Sequence, residues 1–298
     1  MKKYLGLFFA ALLHMLTFNA KAQSTKIWHY LLPCYLILIC GCNNISPTKT
    51  DPSNLSVSAP NNIGIWHNQG VAQLKTTGTL TVTYSSNLDR ANAILSCLSG
   101  YFYSTQSWDS SEMHNAHAID SMKHYFDDSL YSNSLSLWLR GRNNPVITQY
   151  VSAVELALID SAFAIFSQDF SSMSRVQVCA TIQNQANSLI NQYNSKNWDS
   201  SECSGELAAG VLQIMKYSAI YWAQNQNWDT TNVDIPDNGS TAYVILQLDC
   251  AGYITGWAAA LWDDMHSSGG VQLSGQERRI GQGVIWGASA SGIGRYVK

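Results

Sequence analysis

The sequence predicts an all-α fold, and three observations carry that prediction. Apolar residues recur at three- and four-residue spacing in several long segments, as one face of a helix requires. Small residues repeat at every fourth position in the carboxy-terminal third, a pattern that lets two helix backbones approach closely. Only one short segment alternates like a strand, and a strand without a partner is not stable. The chain has 298 residues and is 46% apolar, enough for a sizeable core. The expected organisation is an export segment over residues 1–41, a flexible tether over 42–60 and a single multi-helix domain over 61–298, closed by a Gly/Ala-rich helical hairpin.

The first helix is expected to open near His67 and Asn68, just after Trp66. The alternating stretch "TGTLTVTYS", with Leu80, Val82 and Tyr84 on one face, is read as an extended connection. In "SSNLDRANAILSCLSGYFY", Leu88, Ala91, Leu95 and Leu98 form a stripe, with Ser86 placed to cap and Asp89 three residues later. "NPVITQYVSAVELALIDSAFAIFSQDF" has Pro145 at a first-turn position and is apolar on most sides, which predicts one central helix. "SSMSRVQVCATIQNQANSLINQY" places Val178, Ile182, Ala186, Leu189 and Tyr193 on one stripe and amides on the other. Gly252, Gly256 and Ala260 then face Gly283, Gly287 and Ser291 in the hairpin. The first hairpin segment is long enough to cross a bilayer, but Asp249 near its middle would cost about 3 kcal/mol there, so burial inside the domain is expected.

A recurring phrase appears as "SWDSSE" at 107–112, "NWDSSE" at 197–202 and "NWDTTN" at 227–232. Asp109 with Glu112 and Asp199 with Glu202 have the spacing of capping boxes, with Trp108 and Trp198 as hydrophobic staples. Trp beside Asn and Asp can also stack on sugars, so Trp108 and Trp198 are candidate ligand contacts.

Only 12% of residues are charged, about half the usual share, so the surface must be built largely from Ser, Thr, Asn and Gln. The net charge is −3. Lys2, Lys3, Lys21 and Lys26 are the only charges before Cys42, so a chain starting there carries 13 basic against 20 acidic residues, net −7. An acidic surface with no basic patch excludes nucleic acid as the expected partner.

Two export-like signals stand in series at the amino terminus. The first runs from Lys2-Lys3 through "YLGLFFAALLHMLTF" to a small-x-small site after Ala22. The second, Ile27 to Gly41, is short for a membrane span and contains Pro33. It ends in Ile39-Cys40-Gly41-Cys42, which resembles the lipobox of bacterial lipoprotein signals. That resemblance implies diacylglycerol on the Cys42 thiol, cleavage before Cys42 and acylation of the new amine, hence a lipid-anchored protein of the cell envelope. "NNISPTKTDPSNLSVSAPNN" then suits a tether. Translation from Met15 would leave one ordinary signal instead of two. Four cysteines follow the signal, Cys97, Cys179, Cys203 and Cys250, and either two disulfides or four buried thiols fit their spacing.

The rest of the chain weakly resembles uncharacterised, secreted all-helical bacterial proteins through two short motifs, the His67-Asn68 pair and the acid preceding Ala-Gly in "DCAGYITG". The resemblance implies no activity. Following Trp66 at the expected helix start, His67 and Asn68 are candidate ligand contacts, the other reading being a neutral histidine that caps or hydrogen-bonds inside the domain.

For catalysis the fullest constellation is "EMHNAHAIDSMKHYFDD". On a helix, His117, Asp120, His124 and Asp128 gather on one side with His114 at its margin. His114, His117, His124 and Asp120 could hold zinc. The cluster lies opposite the apolar stripe, however, where solvated residues belong, and it lacks the HExxH arrangement. Gly287 to Ser291 misses the nucleophile-elbow pattern at its last position. Gly281-Gln282-Gly283 fails the dinucleotide fingerprint. Glu155 and Asp160 point about 140° apart and make no acid/base pair. The expected function is therefore a non-catalytic binding module for a protein or glycan, without a cofactor. The alternatives are a zinc hydrolase built on the histidine cluster and a membrane-active glycine zipper.

Overall fold

The computed structural model describes residues 59–79, 84–106, 145–198, 203–225, 239–266 and 275–294, with Val82, Trp108, Arg142 and Asn143. Among them are eight helices and no strand. They are α1 Ala59–Thr76, α2 Asn87–Gln106, α3 Pro145–Tyr150, α4 Ala153–Ile165, α5 Arg175–Asn194, α6 Glu206–Gln224, α7 Gly239–His266 and α8 Gln276–Gly294. All belong to one compact unit, and the all-α single-domain expectation holds.

The helix at the centre is α6, which packs against α1, α4, α5 and α7. Every residue from Glu206 to Met215 is buried, so no face of its first turns meets water. Such a helix must be apolar all round, and "LAAGVL" is. Its small residues admit neighbours closely: a Cβ on Gly210 would collide with the Tyr253 ring of α7.

The segment read as one long central helix is broken. Ser152 adopts an extended backbone and accepts from the Glu155 N–H at 3.2 Å, which ends α3 and starts α4. A serine able to take a free helix N–H competes with continued helix, and here the cap wins. A capping box between Ser174 and Gln177 fixes the start of α5 in the same way.

Stripes predicted from spacing mostly face the core. In α5, Val178, Ile182, Ala186 and Leu189 are buried and Tyr193 is half-buried. In α2 the stripe is Ala91, Ile94, Leu95, Leu98 and Phe102, while Leu88 at the first turn is 42% exposed. Ser86 accepts from the Asp89 N–H at 3.1 Å, the cap expected of it. The connection from α1 to α2 turns at Gly78, whose positive φ an L side chain would resist.

Helices α7 and α8 form the tight hairpin expected of their small residues. A Cβ on Gly252 would sit 2.7 Å from the Trp286 carbonyl and 2.8 Å from the Ala290 Cβ, so backbone lies on backbone there. Gly256 meets the Gln282 carbonyl and Gly283 meets the Tyr253 ring in the same seam. Tyr243–Met265 of α7 is apolar enough to cross a membrane by composition, yet 78% of that window is buried by neighbouring helices. Cys97, Cys179, Cys203 and Cys250 form no disulfide. Burial pushes the Cys179 thiol up to about 11 and the Cys250 thiol up as well, as expected of packed, unreactive sulfur.

Candidate functional site

Three polar centres lie inside this apolar body. The first joins four helices. His67 of α1 and Asp249 of α7 are both fully buried, with His67 Nε2 3.8 Å from Asp249 Oδ2. Ser218 of α6 donates to Asp249 Oδ2, and Ser291 of α8 donates to Asp249 Oδ1. Asn68 Oδ1 lies 3.1 Å from His67 Nδ1, and the Asn68 amide donates to the Tyr217 carbonyl at 2.8 Å. Burial pushes the Asp249 carboxyl up, against the opposing pull of His67 and the two hydroxyls.

Two motifs distant in sequence thus meet, since His67-Asn68 and the acid of "DCAGYITG" form one cluster. Helix α1 begins at Ala59, so the His-Asn pair sits in mid-helix rather than opening it. The proline at position 60 has no N–H to lose in a first turn, which lets the helix start earlier than the pair. Gly287 permits the approach: a Cβ there would be 3.0 Å from the Asp249 carbonyl and 3.2 Å from the His67 ring.

The second centre is an ion cluster that sequence reasoning missed. Arg279 of α8 is fully buried and donates to both oxygens of Glu206 on α6, at 3.0 and 2.9 Å, and to Asp264 Oδ2 of α7 at 2.6 Å. The Trp257 indole donates to Glu206 at 2.7 Å, and Arg278 also bonds Asp264. Burial alone would loosen the proton of Arg279, but Glu206 and Asp264 outweigh it and its pKa goes up. Burial pushes the Glu206 carboxyl up, against the opposing pull of the Arg279 guanidinium, which does not deprotonate in a protein, and of the Trp257 indole. The signal of Arg279 in the sequence is an arginine one position before the apolar run "IGQGVIWG".

The third centre is Glu155 of α4, buried against the first turn of α6. It accepts from the Gly205 N–H and the Ala208 N–H, both at 3.0 Å, and so caps α6 from another helix. Gly205 holds φ at 79° beneath the Trp198 ring, where a Cβ would fall 2.7 Å from Trp198 Cδ2. Burial raises the Glu155 carboxyl to about 7, outweighing the backbone N–H donors of Ala208, Gly205 and Leu207 that favour its charged form. An acid raised on folding contributes stability below its unfolded value, and that contribution fades as pH rises through about 7. Unfolding constants measured from pH 4.5 to 7 are therefore expected to rise by up to about tenfold per pH unit from this group, and Glu155→Gln to remove that slope. Asp160 is no partner to Glu155: it pairs with Arg142 at the surface.

Of the other candidates, Trp108 is buried against Phe102 and Trp66, at ring separations of 4.9 and 5.2 Å. Trp198 stacks on Tyr193 and donates to its carbonyl at 3.0 Å, leaving one edge at the surface. His114, His117, Asp120 and His124, Cys42, and the capping boxes Asp109/Glu112 and Asp199/Glu202 lie outside the described residues. Among the described residues no three metal-ligating side chains converge. Ser289 is buried and donates to the Ile285 carbonyl within its own helix.

His67, Asp249, Glu155 and Arg279 are each fully buried, and the second centre meets solvent through Arg278 at its rim. The first contains Ser, His and Asp, but both hydroxyls donate to the carboxylate and neither is oriented by the imidazole, so it lacks the nucleophile–base bond of acyl-transfer sites. What the three centres do is fasten helices: α1 and α6 to the hairpin, α6 to both hairpin helices, and α4 to α6. Comparisons of the chain with protein families, with curated proteins and with solved structures found no match.

Proposed function

We propose that this protein is an exported, lipid-anchored binding module of the cell envelope, held to a membrane leaflet through Cys42 and presenting its helical domain on a tether. The observation that carries the reading is the Ile39-Cys40-Gly41-Cys42 sequence at the end of a short apolar run, followed by a polar, proline-containing stretch. The fold supports it indirectly. The one described helix apolar enough to cross a bilayer is largely sheathed by other helices, so attachment through the domain itself has less to recommend it.

A binding role agrees with where the polar groups lie. The buried ionisable groups face the inside of the domain, Arg279 bonded to Glu206 and Asp264 and Glu155 to the backbone of α6, whereas the outer side of α5 offers Gln177, Asn184, Asn191 and Gln192 to solvent. After Arg175 that helix carries no charged residue. Beside it, Gln168 and Gln185 exchange two amide hydrogen bonds of 2.8 and 3.0 Å over an open groove that includes Ser161 and Ser188. Neutral amides and hydroxyls donate and accept at once, which suits a glycan or an uncharged peptide.

Cys42→Ser tests the anchor. The variant is expected to leave the membrane fraction for the soluble exported fraction and to lose labelling by radioactive palmitate. Unchanged membrane association with unchanged labelling would refute the reading.

A further inference from the structure

We infer that His67 and Asp249 share a single proton in the folded protein, so that folding takes up one proton at neutral pH and the junction of α1, α6, α7 and α8 holds only while that proton is present. The geometry fixes the protonation step by step. The Asn68 amide must turn its NH2 to the Tyr217 carbonyl, 2.8 Å away, so its oxygen faces His67 Nδ1. An amide oxygen only accepts, and Nδ1 therefore carries a hydrogen. The remaining ring nitrogen, Nε2, faces Asp249 Oδ2 at 3.8 Å and has no hydrogen-bond partner.

Without a proton between them, that pair would set a nitrogen lone pair against a carboxylate, both fully buried. Such a group is expensive to leave uncompensated. With one proton, resting on either Nε2 or Oδ2, the site is neutral overall and the contact is attractive. The proton belongs to the pair and not to either residue.

Among the described residues the surroundings supply no substitute. The groups acting on Asp249 are His67 from α1, Ser218 and Trp222 from α6 and Ser291 from α8, and none of the last three brings a full charge. Its neighbour on α7, Cys250, stays a neutral thiol because burial and Asp249 both push it up. Gly287 of α8 closes the remaining side.

The sign of the effect follows from counting protons. In the unfolded chain an aspartate is ionised above about pH 4 and an imidazole loses its second proton above about 6.5. The folded pair then holds one proton more than the unfolded one above 6.5, the same number between 4 and 6.5, and one fewer below 4. Stability from this site is therefore level between about 4 and 6.5 and falls on either side.

Asp249→Asn tests the inference, because an asparagine can set its NH2 in the place of Oδ2, donating one N–H to Nε2 and the other to the Ser218 hydroxyl, while its oxygen accepts from Ser291, all without a shared proton. Urea unfolding of the full exported chain is measured from pH 7 to 8 for both proteins. The folding constant of the parent is expected to fall about tenfold per pH unit relative to the variant, while Glu155 and the buried thiols act on both and cancel. Parallel curves would overturn the inference. Should the variant not fold, calorimetric unfolding of the parent at pH 7.5 in two buffers of different ionisation enthalpy is expected to show release of one proton or more. A release clearly below one would overturn it equally.

Discussion

Arg279→Ala is expected to lower the unfolding free energy by about 3–5 kcal/mol, the typical cost of removing one partner from a buried ion pair. The reason is what it leaves behind. Among the described residues Glu206 keeps the Trp257 indole as a donor, and Asp264 keeps Arg278 at the rim. Two carboxylates would then lie close to each other with the buried cation gone. Arg279→Met, which fills the volume, is not expected to rescue the loss, because the uncompensated charge is the larger cost. Double replacement of Glu206 by Gln together with Arg279→Met is expected to recover part of it. Urea denaturation of the three variants measures this directly. A loss below about 1 kcal/mol for Arg279→Ala would mean that the cluster is hydrated and contributes little.

The second large effect separates two glycines by sign. Gly252→Ala is expected to destabilise by about 1–3 kcal/mol, since its Cβ would fall 2.7 Å from the Trp286 carbonyl and 3.1 Å from the Gly287 Cα. A backbone cannot rotate aside as a side chain can, so α7 and α8 would have to separate along the seam. Gly100, in α2, has nothing within 4 Å of where a Cβ would stand. Gly100→Ala is therefore expected to stabilise by about 0.5–1 kcal/mol, by removing backbone freedom from the unfolded chain. Equal shifts for the two in thermal unfolding would contradict the close packing of the hairpin.

These positions also show what the sequence alone could and could not disclose. Four-residue spacing of small residues made the α7–α8 seam legible, because close backbone approach excludes side chains and little else explains the repeat. Stripes in α2 and α5 were legible for the same kind of reason, through helical period. The break at Ser152 was not, since "YVSAVE" reads as continuous helix until the capping role of Ser152 outcompetes propagation. Glu155 likewise reads as an ordinary first-turn acid, and only the fold shows that it caps α6, 50 residues away. Arg279 was hidden by the habit of assigning charge to surface. Its partners Glu206 and Asp264 are 73 and 15 residues distant, and no local pattern links them. The His67-Asn68 pair and Asp249 stand in separate motifs, and their meeting depends on how α1 and α7 cross, which periodicity does not specify.

The three buried centres bear on the proposed role. Each spends its polar groups inside the domain, so the proposed binding role would rest on the neutral amide face of α5. That places the weight of the account on Cys42. The most direct measurement is the intact mass of the protein extracted from the membrane fraction of its producing cell. The account predicts a chain beginning at Cys42 and carrying a diacylglyceryl group with or without an amine-linked acyl chain. A lipid-free chain beginning at Gln23 would contradict it, and residues 27–41 would then belong to the mature protein.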